Sequence, residues 1–507
     1  MNTNFLNLKI DLNNIKHTET ISGQKLIKNK DIALLYLGNI YNKKSERISI
    51  KEIGELYENF GRKVSLYLDG IYSLCIIDYK KNKFFIFQDD FGSNQSIYFY
   101  RNDNYISISN SLKQIILFNK NKWNINKKSI KEFIRKGYIS NSNTLIDKIN
   151  KIPSKKYLEI DFKKQRLKIY KNYSKKKEKM KVTEEIYNEV FKSICLSTIH
   201  KNENMAITVS SGYDTNYILN ILSNSTKKPI YAFSIGGKIG RNEVPNAKKI
   251  CNTYDNVKFK SQLVDGSSLK EYPEIVWALE GSIYESGIFL QYELAKLIKS
   301  NHCKYVILGE CADQVLNYEF YHTGIGLINQ IIYNIKKIPN KILKNINYKP
   351  YKNIYEMASY KVIKKNGIIM NYFNINTEYP YLRNQFINVA KNIVKIGDKE
   401  KLFHKQVINN KLPKNITKIL KKIGGATDLK TLFTDSIKVE DLKEVCKKSK
   451  YYKKSKFDDI YYEIDYFMKI IYIELFEKMF IRDIDKYINK DIGNYDITYF
   501  FPELKKK

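Results

Sequence analysis

Ser210-Ser211-Gly212-Tyr213-Asp214-Thr215 follows a short apolar run, Met205–Val209, and leads into a segment whose Tyr217, Ile218, Ile221 and Leu222 recur at helical spacing. A strand that turns through Ser210, Ser211 and Gly212 into a helix aims backbone N–H groups and a positive helix end at one point, a geometry suited to phosphate or pyrophosphate. Further on, a second apolar run, Lys304–Leu308, ends in Gly309-Glu310-Cys311-Ala312-Asp313-Gln314. Two strand ends that each deliver a carboxylate, Asp214 and Asp313, suit a magnesium–nucleotide site at the carboxyl edge of a parallel sheet. Either aspartate alone would read as a helix cap or turn residue, and a Ser/Gly turn alone serves many strand–helix junctions.

Taken together the two motifs resemble those of the asparagine synthetase family of ATP-pyrophosphatases, which read S-G-G-x-D-S and G-E-G-x-D-E. Other segments extend the resemblance over nearly the whole chain. Ile230–Gly236 is similar to the family strand whose serine, here Ser234, lies beside the adenosine. Glu243 and Ala247 fall where an acidic and a small residue open the next helix, and Tyr272–Glu280 resembles the helix before the substrate region. Tyr379–Leu382 resembles a P-F-L turn, with Arg383 where the family prefers Asp. Lys411–Gly424 is similar to the segment ending in the lysine of R-x-K-x-G, which makes Lys422, or its neighbour Lys421, the matching lysine.

The first 120 or so residues resemble the class II glutaminase domain that precedes the synthetase in this family. Gly38–Asn42 matches G-E-I-Y-N, Leu68–Ser73 matches L-D-G-x-F-A, and Gln88–Gly92 resembles R-D-R-x-G. Val64–Leu68, Ile71–Ile77 and Phe84–Phe87 are β-rich runs broken by turn residues, an antiparallel pattern. The catalytic parts differ. The family's nucleophile is a processed N-terminal cysteine, whereas this sequence begins Met1-Asn2-Thr3-Asn4 and its first cysteine is Cys75. Leu37 replaces the oxyanion asparagine and cannot donate a hydrogen bond. Asp69, where the family binds the glutamine amino group, is retained. The expectation is a domain that does not hydrolyse glutamine.

The resemblance implies an α+β antiparallel sandwich over 1–172, followed by an α/β ATP-pyrophosphatase domain with a parallel sheet and a helical C-terminal part over 181–507. It implies ATP and Mg²⁺ as cofactors. Ser210, Ser211, Gly212, Asp214, Thr215, Ser234 and Gly309 would bind the nucleotide, Asp214 and Asp313 the metal, and Glu310 and Lys422 would be catalytic. The implied reaction activates a carboxylate as an acyl-adenylate, which an amine or ammonia then converts to an amide. Glu310, retained in the G-E-G position, would help deprotonate the amine and argues against a β-lactam synthetase, where a Tyr is expected. With a silent glutaminase, the partners are ATP, a carboxylate substrate (aspartate or a peptide side chain) and an amine or free ammonia, as in enzymes that cyclise lasso peptides. Ammonia-dependent asparagine synthesis, a tRNA-modifying ATP-pyrophosphatase and a nucleotide-binding pseudoenzyme are the alternatives.

Composition bounds the rest. At 507 residues two domains are expected. Six cysteines without paired spacing point to reduced thiols and a cytoplasmic protein, and five dispersed histidines give no zinc pattern. No apolar run reaches the roughly 20 residues that span a bilayer, and no signal peptide is expected. The net charge of +35 arises from lysines spread along the chain rather than gathered with aromatics, so no nucleic-acid partner is expected. Lys175–Lys181 reads as a linker between domains, and Asp435–Lys490 as a helical subdomain.

Overall fold

The computed structural model describes residues 6–12, 18–20, 27–28, 31–92, 96–119, 121–173, 178–200, 203–238, 242–316, 358–393, 401–421, 437–454 and 460–504. The N-terminal part forms two antiparallel sheets. One is ordered Thr18–Thr20, Asn7–Asp11, Tyr105–Ser109, Tyr98–Arg101, Asn150–Lys151; the other Arg166–Lys171, Lys156–Asp161, Lys83–Gln88, Asp69–Asp78, Ile32–Tyr41, Ile27–Lys28. Alternation decides which face each side chain serves. Ala33, Leu35, Cys75, Ile77, Phe84 and Ile86 point between the sheets, against Leu8, Ile106 and Ile108. Leu34, Leu74, Ile76 and Phe85 point the other way, onto the helix Ile50–Phe60 through Ile53 and Tyr57. That helix starts at a capping box, in which Ser49 and Glu52 satisfy each other's backbone N–H.

One β-rich run is not a strand. Val64–Leu68 falls largely within a 3₁₀ turn spanning Gly61–Leu66. Gly61, at φ 53°, ends the preceding helix, and the chain coils tightly enough to bury Val64 under that helix before the strand begins at Asp69.

The second part is built on a five-stranded parallel sheet in the order Val257–Val264, Ile230–Gly237, Met205–Thr208, Tyr305–Ile307, Asn376–Glu378. Chain order reverses between Met205–Thr208 and Tyr305–Ile307, so a crevice opens at the carboxyl ends of those two strands, the place where open α/β sheets bind ligands. The helices Tyr213–Ser225, Val244–Cys251, Ile288–Ser300 and Lys364–Tyr372 flank the sheet, and Val439–Lys447 and Ile460–Phe476 supply the helical C-terminal part. One contiguous core runs from Tyr98, Leu112 and Phe133 of the first part through Tyr272 and Phe289 to Tyr472 and Phe476 of the last, so the two parts are packed together rather than tethered. All six cysteines are buried and unpaired. Among the described residues no helix is long and apolar enough to cross a membrane, and no group of three or more His, Cys, Asp or Glu could hold a metal.

Candidate functional site

Both motifs emerge at the reversal in strand order. After Thr208 the chain turns through Ser210 and Ser211, Gly212 caps the helix that begins at Tyr213, and Asp214 and Thr215 occupy its first turn. The loop is tied to itself. Thr215 Oγ1 accepts from the Ser210 N–H (3.2 Å), Ser210 Oγ accepts from the Gly212 N–H (3.1 Å), and Asn216 Nδ2 donates to the carbonyls of Ser210 (2.9 Å) and Gly212 (2.6 Å). The first-turn N–H groups beyond Gly212 have no acceptor within the helix and face the crevice end, as a phosphate site needs. Gly309 is required by close approach. A Cβ there would lie 2.5 Å from Thr215 Cγ2 and 3.1 Å from its Cα, so a side chain would push the two motifs apart.

Ser211, which replaces a glycine of the resembling motif, does not fill the turn. It is fully buried and donates through Oγ to the Lys421 carbonyl (2.6 Å), while the Lys421 N–H donates to the Ser211 carbonyl (2.8 Å). This two-way clasp brings the segment that leads to Lys422 onto the phosphate turn; Lys422 itself lies outside the described residues, as do 175–177 of the expected linker. Cys311, the second glycine replacement, is buried and keeps a glycine-like backbone at φ 70°.

The two aspartates meet on one ammonium. Lys401 Nζ lies 3.0 Å from each carboxylate oxygen of Asp214 and 2.8 Å from Asp313 Oδ1. His404 Nε2 sits 2.7 Å from Asp214 Oδ1, and its Nδ1 is 2.5 Å from the Tyr187 hydroxyl. The ionised Asp214 carboxylate can only accept, so the proton of neutral His404 rests on Nε2, toward Asp214, and the Tyr187 hydroxyl donates to Nδ1. Burial pushes the Asp214 carboxyl up, but the His404 hydrogen bond and the Lys401 charge outweigh it and hold the group well below the usual carboxylate range. For His404 burial wins, and the imidazole stays neutral to lower pH than usual.

Glu310 projects from the second motif into the crevice. Its side chain is solvent-accessible, yet enough protein surrounds it that desolvation raises its pKa against the pull of Lys365, with Glu285 and Asp313 adding to the rise. Lys365 Nζ lies 2.5 Å from Glu285 Oε1, so a lysine and a second carboxylate share this end of the crevice. Ser234 is buried on the neighbouring strand, and among the described residues its Oγ has no hydrogen-bond partner. Asn216 follows the first motif directly, whereas Lys401, His404, Lys365 and Glu285 carry no local motif and only the fold brings them to the two turns.

The pocket of the N-terminal part is closed by contrast. Asp69 accepts from Arg383 Nε (3.2 Å), the Asn384 N–H (3.0 Å) and Asn384 Nδ2 (2.6 Å). Arg383 is 2% exposed, and its guanidinium lies 3.6 Å over the Tyr41 ring. Tyr41 in turn donates to Glu378 at 2.6 Å. The cavity left beside Asp69, Gly70, Asp89 and Asp90 is about 10 Å³, the room of one water.

Residues 15–173 match a family profile described as a glutamine amidotransferase domain, and residues 193–330 one described as asparagine synthase; together they span more than half the chain. A curated relative from Methanocaldococcus jannaschii, named as an inferred glutamine-hydrolyzing asparagine synthetase 2, is 21% identical over 310 residues, 58% of this chain. The match spans 60% of that relative's length. Among solved structures, a U34-tRNA thiolase from Methanococcus maripaludis aligns at 15% identity and TM-score 0.23 over 54% of this chain and 92% of its own. The glutamine phosphoribosylpyrophosphate amidotransferase of B. subtilis aligns at 8% identity and TM-score 0.16 over 56% and 63%. Likenesses this faint leave the fold to the sheet order described above. A glutamine amidotransferase match followed by an asparagine synthase match, together with this relative, supports a member of the asparagine synthetase family.

Proposed function

We propose that this protein is an AMP-forming carbon–nitrogen ligase that activates a carboxylate with ATP and Mg²⁺ and joins it to an amine without hydrolysing glutamine. The observation that carries the reading is the convergence of Asp214 and Asp313 on a single cation at the crevice where strand order reverses. Two carboxylates beside a helix N-terminus fit Mg²⁺, which is held by one or two carboxylates together with substrate phosphates. The buried, unpartnered Ser234 hydroxyl on the adjoining strand fits a nucleoside contact. When bound, the metal supplies charge neutralisation on the polyphosphate.

The chain's own residues have distinct tasks in this scheme. Ser210–Thr215 present first-turn N–H groups to the departing pyrophosphate. Asp214 and Asp313 hold the metal. Glu310, whose raised pKa brings it nearer the working range of a base, takes a proton from the incoming amine. Lys422, whose segment is clasped to Ser211 through Lys421, stabilises negative charge at the α-phosphate. The amine arrives from solution, because the glutaminase-like pocket lacks both room and an oxyanion donor: Arg383 and Asn384 cover Asp69, and Leu37 packs against the sandwich core. A peptide or secondary-metabolite carboxylate is the preferred acyl substrate. Aspartate is the second reading, favoured by the Lys365 ammonium beside Glu310, which could pair with a second carboxylate.

The test is ATP–pyrophosphate exchange with labelled pyrophosphate and Mg²⁺ across aspartate, other amino acids and peptides bearing Asp or Glu. Exchange that depends on one acid and disappears in Asp214→Ala supports adenylation and identifies the acyl partner. Nucleotide binding with no exchange for any acid would replace the ligase by a nucleotide-binding pseudoenzyme.

A further inference from the structure

Lys401 combines two locally unfavourable choices. Its backbone is left-handed, φ 50°, a conformation unfavourable for a non-glycine residue. It also stands at the N-terminal boundary of the helix Leu402–Lys411, where the helix dipole repels a cation. Local preference therefore does not explain a lysine here, but tertiary pairing does. An ammonium has three protons to donate, and three carboxylate oxygens surround this one at 3.0, 3.0 and 2.8 Å. The side chain is 7% exposed. Ringed by three carboxylate oxygens, the group is held as an ammonium.

We infer that Lys401 is the resident cation of this site, pairing Asp214 with Asp313 when no nucleotide is bound, so that a divalent ion is retained only in company with a nucleotide's phosphates. The inference rests on the nucleotide reading above. Two carboxylates and one ammonium leave a single negative charge. A bare divalent ion would have to dislodge the ammonium or sit against it, with three positive charges facing two negative ones. Phosphates bring the missing negative charge, and the metal can then share Asp214 and Asp313 with Lys401 while His404 keeps its hold on Asp214. His404 is fixed one turn further along the same helix by Tyr187, so Asp214 keeps its orientation whichever cation is present. Lys401 is thus a positioning residue that makes metal loading depend on nucleotide.

Mn²⁺ binding to the full-length protein, followed by electron paramagnetic resonance, tests this apart from catalysis. Without nucleotide, the wild-type protein should show no Mn²⁺ site that Asp313→Asn removes; with α,β-methylene-ATP such a site should appear. In Lys401→Met the nucleotide-free site should tighten by at least about tenfold, and Asp313→Asn on that background should abolish the gain. A nucleotide-free, Asp313-dependent site in the wild-type protein would overturn the inference, as would unchanged Mn²⁺ affinity in a folded Lys401→Met or Lys401→Gln. The wild-type comparison decides even if both lysine variants fail to fold. Absence of Mn²⁺ uptake with α,β-methylene-ATP would instead sink the nucleotide reading, while the nucleotide-free titrations still judge Lys401.

Discussion

The crevice around Asp214 and the cavity around Asp69 make an instructive pair. Each contains an acidic residue, Asp214 in the first turn of a helix and Asp69 at the start of a strand, matched to a ligand-binding position of the family, and each pairs that acid with a basic residue from far along the chain. Asp214 meets Lys401 and remains 20% exposed, beside Asp313 and a solvent-accessible Glu310. Asp69 meets Arg383, and the side chains are 6% and 2% exposed, with room for about one water beside them. A lysine pairs as a point charge on a flexible stem and can yield to another cation. The planar guanidinium of Arg383 stacks on Tyr41 and is locked by packing as well as charge. Similar pairings thus leave one acid partly exposed on a flexible partner and lock the other into a buried contact.

The sharpest way to break this comparison is Asp214→Asn. It removes a metal-holding charge and leaves Lys401 without its main partner, so exchange should fall by at least about 1000-fold; comparable exchange would mean that Asp214 is structural, like Asp69. Arg383→Met is the mirror experiment. It strands the buried Asp69 carboxylate and should cost roughly 3 kcal/mol in chemical denaturation, with part of the loss restored by adding Asp69→Asn. Exchange per folded molecule should be unaffected, and a large drop would show that the two regions are coupled.

Smaller effects sharpen the picture within the crevice. Glu310→Gln should slow amide formation about 100-fold while leaving pyrophosphate exchange largely intact, since the carboxylate acts on the amine. The pH profile offers a second check. Glu310 works deprotonated and its pKa is raised, so activity should climb with pH through a limb above the ordinary glutamate range, and that limb should vanish in the Gln variant. Smallest of all is Cys311→Gly. Relief of the left-handed backbone opposes loss of a buried thiol, so stability should change by no more than about 1 kcal/mol, measured by thermal unfolding.

What was legible beforehand follows from the range over which each residue acts. Ser210–Thr215 and Gly309–Asp313 work through a strand end, a turn and a helix start, and that geometry is written within six consecutive residues. The antiparallel runs of the N-terminal part showed themselves as β-rich stretches broken by turn residues, although Val64–Leu68 misled because a buried 3₁₀ turn and a short strand share an apolar composition. Glu243 and Ala247 stand at the start of their helix as the sequence indicated.

The sequence by itself determined the family, the α+β and α/β parts, and the two turns that carry Asp214, Glu310 and Asp313. Only the tertiary structure decided what those carboxylates touch. Lys401 is one basic residue among 88 and lies 187 positions from Asp214, and Arg383 lies 314 from Asp69. No periodicity or spacing links such partners. They meet because strand order places Met205–Thr208 beside Tyr305–Ile307 and because one continuous core packs the antiparallel sheets against the parallel one, and a charge has no local signature until folding removes it from water.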